Sequence, residues 1–224
     1  MKNFRSLLTV VLVGIAPLIA GCAFHHSEVV GSGKRQKQMR EIAPFTSIST
    51  EGAYEIDFEA QKPLSMEIEA DDNILPLVTT EVSNGVLRIR SKTGFSTNQP
   101  IKLKITAPNL EGLSASGAGK IEVSGLQNER FELDSSGAPT IKISGETKAL
   151  EIDANGAGKI DAHKLRAQTA DVESNGVAKV EVFASKELKA SVSGPSQVVY
   201  SGDPKVTKSV NGPGSVEKKA SEGS

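Results

Sequence analysis

One residue recurs at a nearly fixed interval in the second half of this chain, a glycine preceded by Ser or Asn. The intervals between successive copies are 20, 19, 20, 18 and 18 residues, and the glycines are Gly117, Gly137, Gly156, Gly176, Gly194 and Gly212. A period of this length is typical of repeat architectures, in which each unit is one short supersecondary element. Because glycine adopts positive φ angles and leaves space for neighbouring backbone, we expect these six residues to form a structural corner.

Each repeat unit contains two short runs in which apolar and polar residues alternate. The first run holds the pairs Ile121/Val123, Ile141/Ile143, Ile160/Ala162 and Val180/Val182. The second run holds the pairs Phe131/Leu133, Leu150/Ile152, Ala170/Val172 and Leu188/Ala190. Alternation over so few residues predicts β-strands with one buried face.

These runs predict an all-β fold in which units of 18–20 residues stack as coils of a β-solenoid. Consecutive coils are then about 4.8 Å apart, the spacing of strands in a sheet. Such a core is thin, which agrees with an aromatic content of only 4%. A series of hairpins in a sandwich or barrel stays open as the alternative, although the common phase of the two runs favours the solenoid.

The ends of the β domain, which we place at residues 41–213, differ from its repeats. Residues 41–110 alternate irregularly and predict an N-terminal β cap, with Asn84-Gly85 as a hairpin turn signal. The repeat coils follow over residues 111–213. Residues 214–224 are rich in Ser, Lys and Glu and predict a disordered tail.

The N-terminus has the composition of an export signal. Lys2 and Arg5 precede a mostly apolar stretch of 14 residues, Leu7 to Ala20. This stretch is shorter than the roughly 20 residues of a membrane span and typical of a secretory signal. The run Leu18-Ile19-Ala20-Gly21-Cys22 resembles the lipobox of bacterial lipoproteins. An ordinary signal followed by an unrelated cysteine is the alternative.

The lipobox resemblance implies that residues 1–21 are removed as a signal peptide and that Cys22 is lipidated, with palmitate as an expected acyl chain. Two or more acyl chains hold a protein firmly on a bilayer, since each buried CH₂ contributes roughly 0.8 kcal/mol. By resemblance to enterobacterial lipoproteins, Ala23 after the cysteine favours the outer membrane, with the periplasmic and surface faces both open. Residues 22–40, which include His25 and His26, are polar and predict a flexible tether.

Three segments carry a resemblance to a known family. They are EIAPFTSISTEGAYEIDF, EVSNGVLRIR and IKLKITAPNLEGLSASGAGKIEVSGL. With the glycine repeat that follows them, they resemble the family described as "putative auto-transporter adhesin, head GIN domain" over about residues 40–213. The resemblance implies stacked β coils in an exported or lipid-anchored protein and an adhesin-like role. It implies neither a particular ligand nor catalytic residues.

Few residues in the sequence are suited to chemistry. In register, Asp134, Asp153 and Glu173 fall in one column with neighbours about 5 Å apart. Such a column can hold a cation such as Ca²⁺ or another ligand, or supply the carboxylate pair of a glycoside hydrolase. A solvated acidic edge is the favoured interpretation. His163 has no Ser or Cys nucleophile in a sharp turn beside it, so we expect no catalytic triad.

Composition excludes several classes of protein. The 26 basic and 27 acidic residues give no basic excess, which argues against nucleic acid as a partner. One cysteine rules out an intramolecular disulfide or a thiolate zinc cluster.

The sequence therefore predicts a non-enzymatic envelope lipoprotein without a cofactor or an assigned metal, which presents a rigid, repetitive β surface to a glycan or protein ligand. A β-helix enzyme acting on polysaccharide and a structural or lipid-handling envelope component remain open as alternatives. The sequence gives no indication of the oligomeric state.

Overall fold

Residues 28–117 form ten short strands. A computed structural model describes residues 28–220, so the predicted signal peptide, Cys22 and the start of the tether lie outside the described residues. The strands are β1 (Val29–Val30), β2 (Arg35–Met39), β3 (Ser47–Glu51), β4 (Tyr54–Glu59), β5 (Ser65–Asp71), β6 (Val78–Ser83), β7 (Val86–Ser91), β8 (Phe95–Ser96), β9 (Ile101–Thr106) and β10 (Gly112–Gly117). A single 3₁₀ turn, Leu75–Leu77, precedes β6.

The second half of the chain forms the predicted β-solenoid, of about five turns. Four of its strands are long because each continues through a bend and covers most of one coil. The strands are β11 (Lys120–Gly137), β12 (Thr140–Gly156), β13 (Lys159–Gly176), β14 (Lys179–Ser193), β15 (Gln197–Ser201), β16 (Lys205–Asn211) and β17 (Ser215–Lys218). Successive coils pair in parallel, from β10 through β14 to β15 and β16.

The aliphatic side chains of successive coils stack in rows, as the alternation predicts. The register pairs Ile121 with Ile141, Ile141 with Ile160 and Ile160 with Val180. Each of these four side chains is at most 2% exposed. Burying one aliphatic side chain of this size contributes roughly 1.5–3 kcal/mol, so each row stabilises the parallel register. The hairpin alternative is therefore wrong for the repeats.

The parallel stack continues into the region predicted as an irregular cap. Strands β3 and β4 pair in parallel with β10 and β11, and β7 and β9 pair in parallel with β3 and β4. The stack then ends in antiparallel neighbours, because β6 pairs with β7 and β5 pairs with β9. Asn84 and Gly85 join β6 to β7 with φ angles of 52° and 75°, positive at both positions as in the type I′ hairpin turn.

Residues 28–40 do not form the flexible tether that their polarity predicts. Strand β2 pairs antiparallel with β5, and β1 pairs in parallel with β8. The Arg35 guanidinium lies 3.6 Å from the buried Asp71 carboxylate and 3.4 Å from Glu69. The backbone N–H of Gly33 also donates to Asp71, at 3.1 Å. Backbone pairing and a partly buried ion pair therefore fix a segment that has no apolar alternation.

The predicted disordered tail is also wrong for its first residues. Strand β17 pairs in parallel with β15, and Val216 lies opposite Val198. Val216 is only 6% exposed, so it continues the buried row beyond the last complete coil.

Candidate functional site

The six repeat glycines lie in register at one corner of the stack. All have positive φ angles, including 118° at Gly117, 88° at Gly137 and 147° at Gly176. A Cβ atom on Gly137 would lie 2.5 Å from the carbonyl oxygen of Gly117, closer than real Cβ atoms approach oxygen. This carbonyl accepts a hydrogen bond from the backbone N–H of Ala138 at 2.8 Å, and the next coils repeat the contact. We call this feature the glycine corner.

The acidic column lies close to the glycine corner. Asp134, Asp153 and Glu173 are opposite one another in the register, and all are exposed or partly exposed. Burial raises the pKa of Asp134, and the charges of Asp153 and Glu132 raise it further. The carboxylates therefore repel one another. Among residues 28–220, three ligand atoms close enough for one metal ion do not occur in this column.

A parallel acidic column, two residues earlier in each coil, contains its own counter-ions. Arg130 lies 2.6 Å from both Glu132 and Glu151, and Lys189 lies 2.8 Å from Asp171. Exposed ion pairs of this kind contribute about 0–1 kcal/mol each. These contacts agree with a solvated charged face.

An open groove crosses several coils at the point where each long strand bends away from the face that contains Ile121. Its volume is about 1070 Å³. Successive coils contribute the register-matched residues Gln127, Glu146, Arg166 and Phe183 to its lining. We call this cavity the lateral groove. We call the segment where the register shifts, between Val123 and Leu126 in β11 and at the equivalent places in β12, β13 and β14, the lateral bend.

Amide groups and internally paired charges line the lateral groove. The side-chain N–H of Asn128 donates to the Leu110 carbonyl at 2.7 Å, while the buried Oδ1 has no hydrogen-bond partner among the described residues. Lys148 pairs with Glu129 at 2.7 Å. The Arg166 guanidinium lies over the Phe183 ring, 4.5 Å from its centroid. Such a surface offers hydrogen-bond donors and acceptors with little net charge.

Three side chains that the sequence does not predict to meet lie close together where β13 and β14 enter the lateral bend. Ligand atoms of Asp161, His163 and Glu181 lie within 4.8 Å of one another, and all three side chains are partly buried. Oδ1 of Asp161 contacts Nδ1 of His163, and Nζ of Lys179 lies 2.9 Å from Glu181. Burial alone would raise the pKa of Asp161, but hydrogen bonds from His163 and the nearby positive charges outweigh it and lower the pKa.

A signal for this group existed in the sequence. Asp161 and Glu181 occupy equivalent positions of consecutive repeats, 20 residues apart, and His163 follows Asp161 by two residues. Residues two apart in a strand point to the same face. The bend lengths decide whether the three side chains meet, and the sequence alone does not give them.

Cys22, His25 and His26 lie outside residues 28–220, so their predicted roles stay predictions. The described part of the chain contains no helix with the length and hydropathy of a membrane span.

Comparison with known proteins extends these observations. The family model described as "Putative auto-transporter adhesin, head GIN domain" matches residues 44–204. No curated protein matches the sequence significantly.

Solved structures share the fold at low sequence identity. A crystal structure described as a putative adhesin from Bacteroides fragilis NCTC 9343 is 21% identical, with a TM-score of 0.70, over 85% of this chain and 100% of the other. One from Parabacteroides distasonis ATCC 8503, described as a putative lipid binding protein, is 20% identical, with a TM-score of 0.57, over 86% and 100%. A putative adhesin from Parabacteroides merdae ATCC 43184 is also 20% identical, with a TM-score of 0.55, over 86% and 99%.

Proposed function

The chain belongs to the head GIN domain family, and we propose that it is a membrane-anchored, adhesin-like envelope lipoprotein that binds its ligand along the lateral groove without catalysis. The groove is the observation that carries this proposal, because equivalent residues of successive coils contribute to it at each step of the stack. A repeated surface can contact an extended polymer, a glycan or a protein segment, at several coils simultaneously. Several weak contacts then combine into a stable attachment.

The character of the groove supports binding of a polar ligand. Asn128 and Gln168 present amide groups, and Thr147 and Ser185 present hydroxyl groups. Four of the seven charged groove side chains pair with each other, Arg130 with Glu132 and Lys148 with Glu129, which suits a ligand that is recognised by hydrogen bonds. Lipid handling is less well supported, since burying an acyl chain requires a largely apolar cavity.

The arrangement of carboxylates supports a role without catalysis. An acid-base pair needs one carboxyl with a raised pKa and one ionised partner facing the same substrate position. Burial and like charge raise the pKa of Asp134, but Asp134 and Asp153 lie on an exposed face outside the lateral groove. These side chains do not converge on a pocket that would hold a sugar ring.

Anchoring through Cys22 would place the N-terminal end of the stack near the membrane. Five residues separate Cys22 from Glu28, the first described residue, and each spans at most about 3.6 Å. Strand β2 is fixed to β5, so few residues lie between Cys22 and the fixed part of the domain. Of the nearby cations, Arg35 pairs with Asp71 and Lys37 pairs with Glu67 at 3.0 Å. The acyl chains, rather than these cations, therefore supply the membrane affinity.

A fractionation experiment tests the anchor. We expect the wild-type chain in the membrane fraction and the Cys22→Ala variant in the soluble fraction, with Cys22→Ala showing no incorporation of radiolabelled palmitate. An Asn128→Ala variant is the matched control and should fractionate as the wild type does. Membrane association of Cys22→Ala equal to that of the wild type would contradict the anchor.

A binding experiment tests the groove separately. A panel of soluble polysaccharides and envelope proteins is screened against the purified full chain, and the groove variant Asn128→Ala/Gln168→Ala is compared with Asp153→Asn on the acidic column. We expect the groove variant to weaken binding at least about tenfold, as for the loss of a central contact, and Asp153→Asn to bind normally. Binding that depends on Asp153 and not on the groove residues would overturn the proposal, as would cleavage of a bound polysaccharide.

A further inference from the structure

The coil of β13 differs from three other coils at the position of His163. In three other coils the equivalent residue is a serine whose hydroxyl donates to a carbonyl of the preceding coil. These residues are Ser124, bonded to Phe58, Ser144, bonded to Val123, and Ser201, bonded to Val182. In β13 the register shifts between Ala162 and Arg166, so His163 has no partner in the ladder. A bulge of this kind re-aims a side chain.

Two carboxylates lie close to this imidazole, one from the same strand and one from the next coil. Asp161 precedes His163 by two residues and points to the same face of β13. Glu181 lies directly opposite Asp161 in the register of β14. The equivalent positions of the adjacent coils carry Lys142 and Val199. Asp57 and Glu122 are also opposite each other, but among residues 28–220 an imidazole joins two carboxylates only between β13 and β14.

We propose that Asp161, His163 and Glu181 bind a divalent transition-metal ion of the zinc class. The distances support this inference, because ligand atoms of the three residues lie within 4.8 Å of one another and small side-chain rotations bring them to the separations set by one ion at about 2.0–2.2 Å from each. Zn²⁺ binds imidazole nitrogen and carboxylate oxygen in proteins, and three protein ligands leave a coordination position for water or an external oxygen ligand.

The surrounding charges favour such an ion over Ca²⁺. Calcium requires six to eight oxygen ligands and binds largely through charge. Here Lys159 and Lys179 lie beside the carboxylates, and Lys142 is opposite Asp161 in the register. These ammonium groups reduce electrostatic attraction for any cation, whereas imidazole selects ions such as Zn²⁺.

Lys179 also orients one of the three proposed ligands, Glu181. Its Nζ lies 2.9 Å from Oε1 of Glu181, and a carboxylate has a second oxygen with which to bind metal. Contacts of this kind hold a ligating carboxylate in one orientation. The side chains of Asp161, His163 and Glu181 are 22%, 32% and 17% exposed, so an ion can enter from solvent.

Titration of the chelator-treated, purified full chain with Zn²⁺ tests the proposal. The chain contains three histidines, so the His25→Ala/His26→Ala variant removes the other two imidazoles and should retain one ion per chain. In that background His163→Ala and the isosteric Glu181→Gln should each weaken binding by more than about tenfold, since each removes a direct ligand. Asp153→Asn is the matched control and should change nothing. Co²⁺ should give a visible absorption band that His163→Ala abolishes.

Two results would overturn the proposal. One is the absence of a stoichiometric Zn²⁺ site in the His25→Ala/His26→Ala variant. The other is unchanged Zn²⁺ affinity in a folded His163→Ala or Glu181→Gln variant. Neither result bears on the lateral groove, whose ligand binding is measured with chelator present.

Discussion

The two bends of each coil follow different rules. At the glycine corner, the first residue of the next strand is three positions after the repeat glycine in every case, from Gly117 and Lys120 to Gly212 and Ser215. Across the lateral bend, the buried residues that are matched in the register are 10, 9, 10 and 8 positions apart. The pairs are Ile121 and Phe131, Ile141 and Leu150, Ile160 and Ala170, and Val180 and Leu188. At the glycine corner each repeat glycine is directly opposite the next one, as Gly137 is opposite Gly156. At the lateral bend the register shifts in three successive strand pairings.

This difference has a physical origin. From Gly117 to Gly194 the backbones of adjacent coils approach so closely that no side chain fits, and the amides of Ala138, Ala157 and Val177 donate hydrogen bonds to the coil before them. Every coil must therefore turn in the same way. The lateral bend contains side chains that adjust to one another, so insertions and bulges are accommodated. The lateral groove and the group around His163 both lie at this adaptable bend, while the glycine corner maintains the register.

The largest expected effect comes from adding one residue to each bend. A serine inserted between Ala138 and Pro139 should destabilise the chain by several kcal/mol, since a one-residue slip turns buried side chains to the opposite face. A serine inserted between Ser185 and Lys186 lengthens the shortest bend to that of β12 and should cost less than about 1 kcal/mol. Denaturant unfolding of the two purified variants measures the difference. Equal losses would show that the two bends are equally constrained.

Gly137→Val tests the close approach at the glycine corner alone. Gly137 has a φ of 88°, and its Cβ would meet the Gly117 carbonyl, so we expect a loss of about 3 kcal/mol or more from strain and steric clash. Lys120→Ala, a change of an exposed side chain in the adjoining strand, should stay within about 0.5 kcal/mol of the wild type. Similar midpoints of unfolding for the two variants would contradict the packing of this corner.

A smaller effect is expected at Asp134, on the acidic column beside the glycine corner. Burial and the charges of Asp153 and Glu132 raise its pKa, so the folded chain holds this proton more tightly than the unfolded chain does. The stability contributed by the neutral acid is present below its ordinary pKa of 3.8 and is lost as the pH rises through the folded-state value.

Asp134→Asn should therefore raise the melting temperature at pH 7, and the gain should disappear in acid. Melting curves of variant and wild type from acid to neutral pH provide the measurement. A gain that is independent of pH, or a loss at pH 7, would show that the charged Asp134 carboxylate does not destabilise the folded chain at neutral pH.

The sequence predicts those parts of the fold that depend on period and alternation. The stacking of Ile121, Ile141, Ile160 and Val180 could be predicted because each occupies the same phase of a repeat. The docking of β2 could not, since RQKQM has no apolar alternation and is held by backbone pairing and the Arg35–Asp71 ion pair. The start of β17 was missed because Val216 alone continues the buried row.

The site was less predictable than the fold for a related reason. Repeat positions placed Asp134, Asp153 and Glu173 in one column, which the register reproduces. The lateral groove depends on the irregular bend lengths, which a single sequence does not reveal. The sequence alone therefore does not indicate that His163 is a neighbour of Glu181.

Native-state hydrogen exchange of individual backbone amides compares the two bends without any mutation. The amides of Ala138, Ala157 and Val177 donate to carbonyls of the preceding coil and should exchange only through opening of the stack. The amides of Ser185 and Lys186 lie outside the paired register and should exchange faster by orders of magnitude. Comparable protection at the two bends would contradict a rigid glycine corner and an adaptable lateral bend.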